Sequence, residues 1–211
     1  MSIKKKNILP LSIAATIYLL SYQIPKILVN PSDLHFVSIP LDNVIPLFSP
    51  SIVIYFAAFF QWLYAFYVLL THETKIAYKY ATAVIIGSLI GFACFMLYPT
   101  AMHRVEITGT SIFDQILKIV YSIDNIICAL PSFHCFLSTL VIYVFYETKV
   151  DKKILIFNII LSILVYASTL LTKQHYFLDV PSGILLGILS ATLVKVISFN
   201  GLFEKLNKNL K

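Results

Sequence analysis

The segment Thr172-Lys173-Gln174-His175-Tyr176-Phe177-Leu178-Asp179 sets a histidine and an aspartate four residues apart, on one face wherever the chain is helical. A carboxylate so placed fixes the imidazole tautomer and leaves the second ring nitrogen free as nucleophile or base. The pair also reads as an ordinary interfacial contact, and Asp179, just ahead of Val180-Pro181, as the cap of the next helix. In Ala129-Leu130-Pro131-Ser132-Phe133-His134 a proline and a serine precede an apolar run, the signature of a helix N-terminus. Free amides and the helix dipole there receive anions, and a histidine in the first turn can pass the same anion a proton. An ordinary helix start with His134 as an interfacial side chain is the plainer reading of that segment alone. Arg104 is the single arginine among sixteen basic residues. Its planar fork suits bidentate contact with phosphate, where a lysine offers only a point charge; the alternative is an incidental headgroup contact.

The elements that must position these residues are membrane spans. Of 211 residues, 59% are hydrophobic and 12% charged, with a mean hydropathy of +0.86, against about 25% charged residues in an average soluble domain. A soluble monomer is excluded, because so much apolar surface cannot be buried beneath a charged exterior. The net charge of +6 sits in short clusters between apolar runs, a topology signal and not a nucleic-acid surface. Runs near the roughly 20 residues a bilayer requires fall at about 8–29, 51–70, 80–98, 132–146, 154–172 and 180–199. Residues 1–211 are therefore expected to form a single integral membrane domain, an all-α polytopic bundle with six transmembrane helices. The first run follows Lys4-Lys5-Lys6 without a small-residue cleavage site and reads as an uncleaved span.

An alternating six-span chain puts twelve basic residues on one side, Lys205, Lys208 and Lys211 included, and only Lys26, Arg104, Lys118 and Lys173 on the other. That bias predicts cytoplasmic termini, with outward loops at about 30–50, 99–131 and 173–179. Asp42, His103, Asp124, His134, His175 and Asp179 gather on the outward side. The three chemical segments thus share one membrane face, although lysine counts alone set the topology. Cys94, Cys128 and Cys135 lack the spacing of a zinc site or disulfide framework. Gly183, Gly187 and Ala191 recur every four residues, a stripe that lets the sixth span press on a neighbour beneath the site.

Together these residues resemble the type 2 phosphatidic acid phosphatase superfamily, whose membrane members have six spans and which shares its active-site design with vanadium haloperoxidases. The family's motifs run lysine, six residues, arginine-proline; then proline-serine-glycine-histidine; then serine-arginine, five residues, histidine, three residues, aspartate. Here they stand as Arg104, as Pro131-Ser132-Phe133-His134, and as Ser168 through His175 and Asp179. Leu97 occupies the lysine position, Val105 the proline, Phe133 the glycine and Thr169 the second arginine, so the phosphate cradle is reduced. Asp124-Asn125 ahead of Pro131-Ser132, with Thr172-Lys173-Gln174-His175, is similar to the branch holding inositol phosphorylceramide synthases and their bacterial relatives.

The resemblance implies a membrane lipid phosphatase acting on a lipid phosphate or pyrophosphate; the lysine-rich, arginine-poor composition suggests a bacterial plasma membrane, and the bias of basic residues predicts an active site on its extracytoplasmic face. His175 would attack phosphorus to form a phosphohistidine, Asp179 would orient it, and His134 would protonate the departing oxygen. Arg104, Ser132 and Lys173 would hold phosphoryl oxygens, and the scheme needs no metal and no cofactor. Passing the group to an alcohol in place of water would make the protein a phosphotransferase moving a phospho-head group between lipids. Two readings of other classes remain: a small transporter, and a catalytically inactive interaction subunit encouraged by the lost cations. Conduction would need polar groups near the midplane, where the spans read as almost uniformly apolar.

Overall fold

The computed structural model describes residues 2–124 and 126–196; Asn125, the expected end of the sixth span at 197–199, and Lys205, Lys208 and Lys211 lie outside them. The helices are α1 (Lys5–Leu28), α2 (Pro40–Val44), α3 (Ile52–Thr71), α4 (Thr74–Leu97), α5 (Ile112–Ile123), α6 (Phe133–Glu147), α7 (Lys152–Leu171) and α8 (Asp179–Val196). Among the described residues there is no strand, only isolated bridges at His35–Thr100 and Ala101–Ile127. Uninterrupted apolar runs in lipid must satisfy their backbone internally, which leaves the helix as the available form. Five helices, α1, α3, α4, α7 and α8, are long and apolar enough to cross a bilayer, while the fourth expected span is the shorter apolar helix α6, of 15 residues.

Two boundaries differ from the hydropathy reading. The third span was expected from 80, but α4 starts at Thr74 and carries Lys75 and Lys79 in its first turns, because hydropathy marks where the bilayer begins and not where the helix does. The outward loop expected at 99–131 contains α5, opened by Ser111, whose hydroxyl accepts from the Asp114 N–H while the Asp114 carboxylate accepts from the Ser111 N–H. That reciprocal box satisfies two orphan donors at the helix start.

The central position belongs to α6, which packs against α3, α4, α7 and α8 with Phe136, Leu140, Val144 and Phe145 fully buried. Two glycines admit it. A Cβ at Gly91 of α4 would collide with the Phe133 ring, and one at Gly183 of α8 with the Ser132 carbonyl oxygen. Packing close enough to need glycine is how membrane helices associate without a hydrophobic driving force. Around this centre Phe60, Leu63, Phe157 and Leu185 stay exposed, as lipid-facing residues should.

The bundle also buries polar groups that averaged hydropathy hides. Gln61 Nε2 donates to Ser162 Oγ at 3.0 Å, Ser162 Oγ to the Ser138 carbonyl at 3.2 Å, and Trp62 Nε1 to Ser138 Oγ at 3.1 Å. The spans are therefore less uniformly apolar than expected, and this thread ties α3, α6 and α7 together beneath the site. At the lysine-rich end, Asn7 Nδ2 donates to the carbonyls of Leu69 and His72, and Lys195 pairs with Glu147 at 3.4 Å. The three chemical segments lie at the opposite end.

Candidate active site

Helix α7 stops at Leu171, and a turn through 172–178 precedes α8. His175 is therefore not on a continuous helix with Asp179, as four-residue spacing alone suggested; it stands in the turn, with Asp179 as the first residue of α8. The contact forms nonetheless: His175 Nδ1 lies 3.2 Å from Asp179 Oδ2, with the carboxylate fully buried and His175 nearly so. The Tyr176 N–H donates to the same oxygen at 2.8 Å. Asp179 is the first residue of α8, but its carboxylate contacts His175 and the Tyr176 N–H and caps no α8 amide, its Oδ1 having no partner. A carboxylate on Nδ1 keeps the proton there and leaves Nε2 with its lone pair.

Ser132 is the N-cap of α6, its hydroxyl accepting from the Cys135 N–H at 3.4 Å, and its own N–H donates to the Asp179 carbonyl at 3.0 Å. That backbone bond joins the second and third segments directly. Two residues along from Ser132, His134 comes within 6.3 Å of His175, ring centroid to ring centroid. Tyr55, Trp62 and Phe59 enclose His134 at 4.3, 5.2 and 5.8 Å. Phe133, in the family's glycine position, points away from the histidines into the α4 side, stacked on Tyr18 and packed on Phe95 at 5.2 and 4.9 Å.

Arg104 reaches the 172–174 turn. Its Nη1 donates to Gln174 Oε1 at 2.6 Å and to the Lys173 carbonyl at 3.4 Å, and its guanidinium lies over the Tyr121 ring at 4.2 Å. Tyr121 in turn donates to the Thr172 carbonyl at 2.7 Å, tying α5 to the turn. Lys173, with a left-handed φ of 52°, directs its ammonium to the carbonyls of Asp42 and Ile45 at 2.9 and 2.6 Å. Burial lowers its pKa from the usual lysine value. Its charge is engaged by the carbonyls that end α2, whereas Arg104 keeps its Nε–H without a partner.

Sequence reasoning missed the parts played by Asp42 and Gln174. The Asp42 carboxylate accepts from the Ile39 and Phe177 N–H groups at 2.8 and 2.7 Å, stapling the first outward loop to the 173–178 turn. Pro40 followed by an acid two residues later is a helix-start signal, readable in hindsight. Cys128 stays inert, burial pushing its thiol up to about 12.

Each histidine lines a space of its own. A polar cavity of about 200 Å³ is lined by Ser38, Asn43, His103, Lys173, His175 and Tyr176. A groove of about 710 Å³ runs between α1, α3 and α5, lined by Tyr18, Lys26, Tyr55, Trp62, Ile123 and His134. Lys26 and Asp124 pair across its wall at 2.7 Å.

The PAP2 superfamily matches residues 35–193, well over half of the sequence. The chain belongs to the PAP2 superfamily. No curated protein and no solved structure matches it. Membership of the PAP2 superfamily points to phosphatase- or phosphotransferase-type activity on lipid phosphates in membranes. The match begins after α1, which carries Tyr22 and Lys26.

Proposed function

We propose that this PAP2-superfamily protein is a membrane lipid phosphatase that hydrolyses a lipid phosphate or pyrophosphate through a phosphohistidine. The observation that carries the reading is the His175–Asp179 contact at 3.2 Å with the His134 ring 6.3 Å away. Near-attack and proton-transfer distances of about 3 Å each make a gap of that order suitable for one phosphoryl group.

His175 Nε2 attacks phosphorus as the P–O bond to the lipid breaks, and His134 delivers to the departing oxygen the proton it takes up as the anionic substrate binds. Asp179 stabilises the positive charge His175 acquires. Neutral His134 then takes a proton from water, whose oxygen attacks phosphorus; the P–N bond breaks, releasing phosphate and restoring His175. Arg104 faces the developing charge on the equatorial oxygens, where fixed donors contribute most. The apolar groove beside His134 suits the chain of the leaving lipid, and the polar cavity beside His175 suits the phosphoryl end.

On this reading α6 also spans the membrane, as the fourth of six spans. It is surrounded by α3, α4, α7 and α8, so lipid does not dictate its length. The twelve-to-four bias of basic residues supports a site on the outer face. The same groove could seat an acceptor lipid, which favours phosphotransfer as the second reading. Purified protein in nanodiscs, given radiolabelled lipid phosphates, pyrophosphates and phosphodiesters with and without alcohols, decides between them. Label released as phosphate marks a phosphatase, and label in a new lipid marks a transferase. Either activity is expected to vanish in His175→Ala; a fully active His175→Ala protein sinks the mechanism.

A further inference from the structure

Buried polar atoms almost always find a hydrogen-bond partner, so those that do not call for an explanation. Among the described residues eight buried side-chain atoms have none, and four of them, Arg104 Nε, His134 Nε2, Gln174 Nε2 and Asp179 Oδ1, belong to this one site. Two of the four are obligate donors on groups already joined to each other. Arg104 Nη1 donates to Gln174 Oε1 at 2.6 Å, which fixes the carboxamide with its oxygen toward the guanidinium and its NH₂ turned away.

Gln174 is also held firmly. Its side chain is buried, with the residue only 7% exposed, and its N–H and that of His175 both donate to the Thr169 carbonyl, at 3.0 and 3.2 Å. An empty donor on a firmly held side chain one residue from the nucleophile matches a ligand made of acceptors only, and a phosphoryl group, with its three peripheral oxygens, is such a ligand.

The positions where the superfamily motifs place cations are spent otherwise in this chain. Leu97 is 84% exposed on the outer surface of α4, and the Thr169 hydroxyl donates to the Tyr166 carbonyl at 2.8 Å. The Lys173 ammonium is taken by Asp42 and Ile45. We infer that the Gln174 carboxamide is a phosphoryl-binding group that, alongside Arg104, stands in for the missing cations. This rests on the reading in which His175 attacks phosphorus.

The test compares Gln174→Glu and Gln174→Met with wild type and His175→Ala in nanodiscs. The substrate is the lipid phosphate ester the wild type turns over fastest, with inorganic phosphate as competing ligand. Glutamate keeps an acceptor for Arg104 Nη1 but removes the donor and sets negative charge against the phosphoryl oxygens. Gln174→Glu should therefore be the more damaged variant, losing at least about 100-fold in kcat/KM, the scale of one lost transition-state donor, together with inhibition by phosphate. Gln174→Met should lose less and keep its thermal midpoint. If Gln174 serves only to hold Arg104 in place, the order reverses: Gln174→Glu stays near wild type and Gln174→Met suffers, and the inference falls while His175→Ala remains dead. A wild type that turns over no ester, or an active His175→Ala, removes the underlying reading and this one with it.

Discussion

Gly183→Ala tests whether the α6–α8 contact sets the spacing of the two histidines. A Cβ at position 183 would press on the Ser132 carbonyl oxygen and sit 2.9 Å from Cys135 Cβ, where carbon atoms settle at about 3.5–4.0 Å. Backbone and a buried cysteine cannot swing aside, so the helices must part by about 0.5–1 Å. The Ser132 N–H to Asp179 carbonyl bond, at 3.0 Å, spans that junction. His134 follows Ser132 by two residues and His175 hangs from the Asp179 carboxylate, so the parting moves one histidine relative to the other. A misplacement of about 1 Å costs on the order of 100-fold in rate, and overpacking of this kind costs about 1–3 kcal/mol in stability. At about 2–4 °C per kcal/mol for a chain of this size, the thermal midpoint should fall measurably. Gly187→Ala is the control: one turn further from the site, its added Cβ meets the Thr139 side chain at 2.8 Å, and it should cost stability with a smaller effect on kcat. Steady-state kinetics and melting curves on both variants make the comparison. Gly183→Ala with kcat within about 3-fold of wild type would refute the argument, since 1 Å displacements are expected to do far more.

Asp179→Asn should cut kcat by up to about 10⁴-fold, as a neutral amide neither holds the Nδ1 proton nor balances the imidazolium. The Tyr176 N–H still finds an acceptor there, so an unchanged melting curve should accompany the loss, and a variant retaining a tenth of wild-type kcat would count against the assigned role. Lys173→Met should change how stability varies with pH. Burial holds the Lys173 pKa below the ordinary 10.5, so between those two values the unfolded chain binds more protons than the folded one, and folding stability rises with pH there. Melting followed upward toward that limit should show the rise in wild type and a flatter profile in Lys173→Met; identical slopes would mean that Lys173 is not the group responsible.

The sequence carried the spans well, because a run of apolar residues in lipid has one way to satisfy its backbone. All six expected runs are helical where the structure describes them, with boundaries set by local chemistry at Thr74 and Ser111 that a hydropathy average does not register. The chemical segments were legible for a similar reason: His175, Asp179, His134 and Arg104 are scarce ionisable or forked groups in an apolar chain, so each stood out. Gln174 and Asp42 did not. An amide or a carboxylate in an outward loop looks like any other until its partners are known, and those partners are 70 and 135 residues away.

Composition and spacing by themselves determined a helical membrane protein, the superfamily motifs, and the end of the bundle at which they lie. Tertiary structure decided how those motifs meet. The His175–Asp179 contact arises from a turn between two helices and not from one helix face, and the backbone bond from Ser132 to Asp179 exists because Gly183 lets α8 lie against α6. Phe133 fits the motif's glycine position because Gly91, 42 residues earlier, yields the space on α4. Lys173, which by charge alone belonged with the phosphate ligands, is drawn to the carbonyls that end α2. Residue type sets what each group can do, but distances of about 3 Å between groups far apart in the chain are fixed only by packing, where one methyl group decides whether two helices touch.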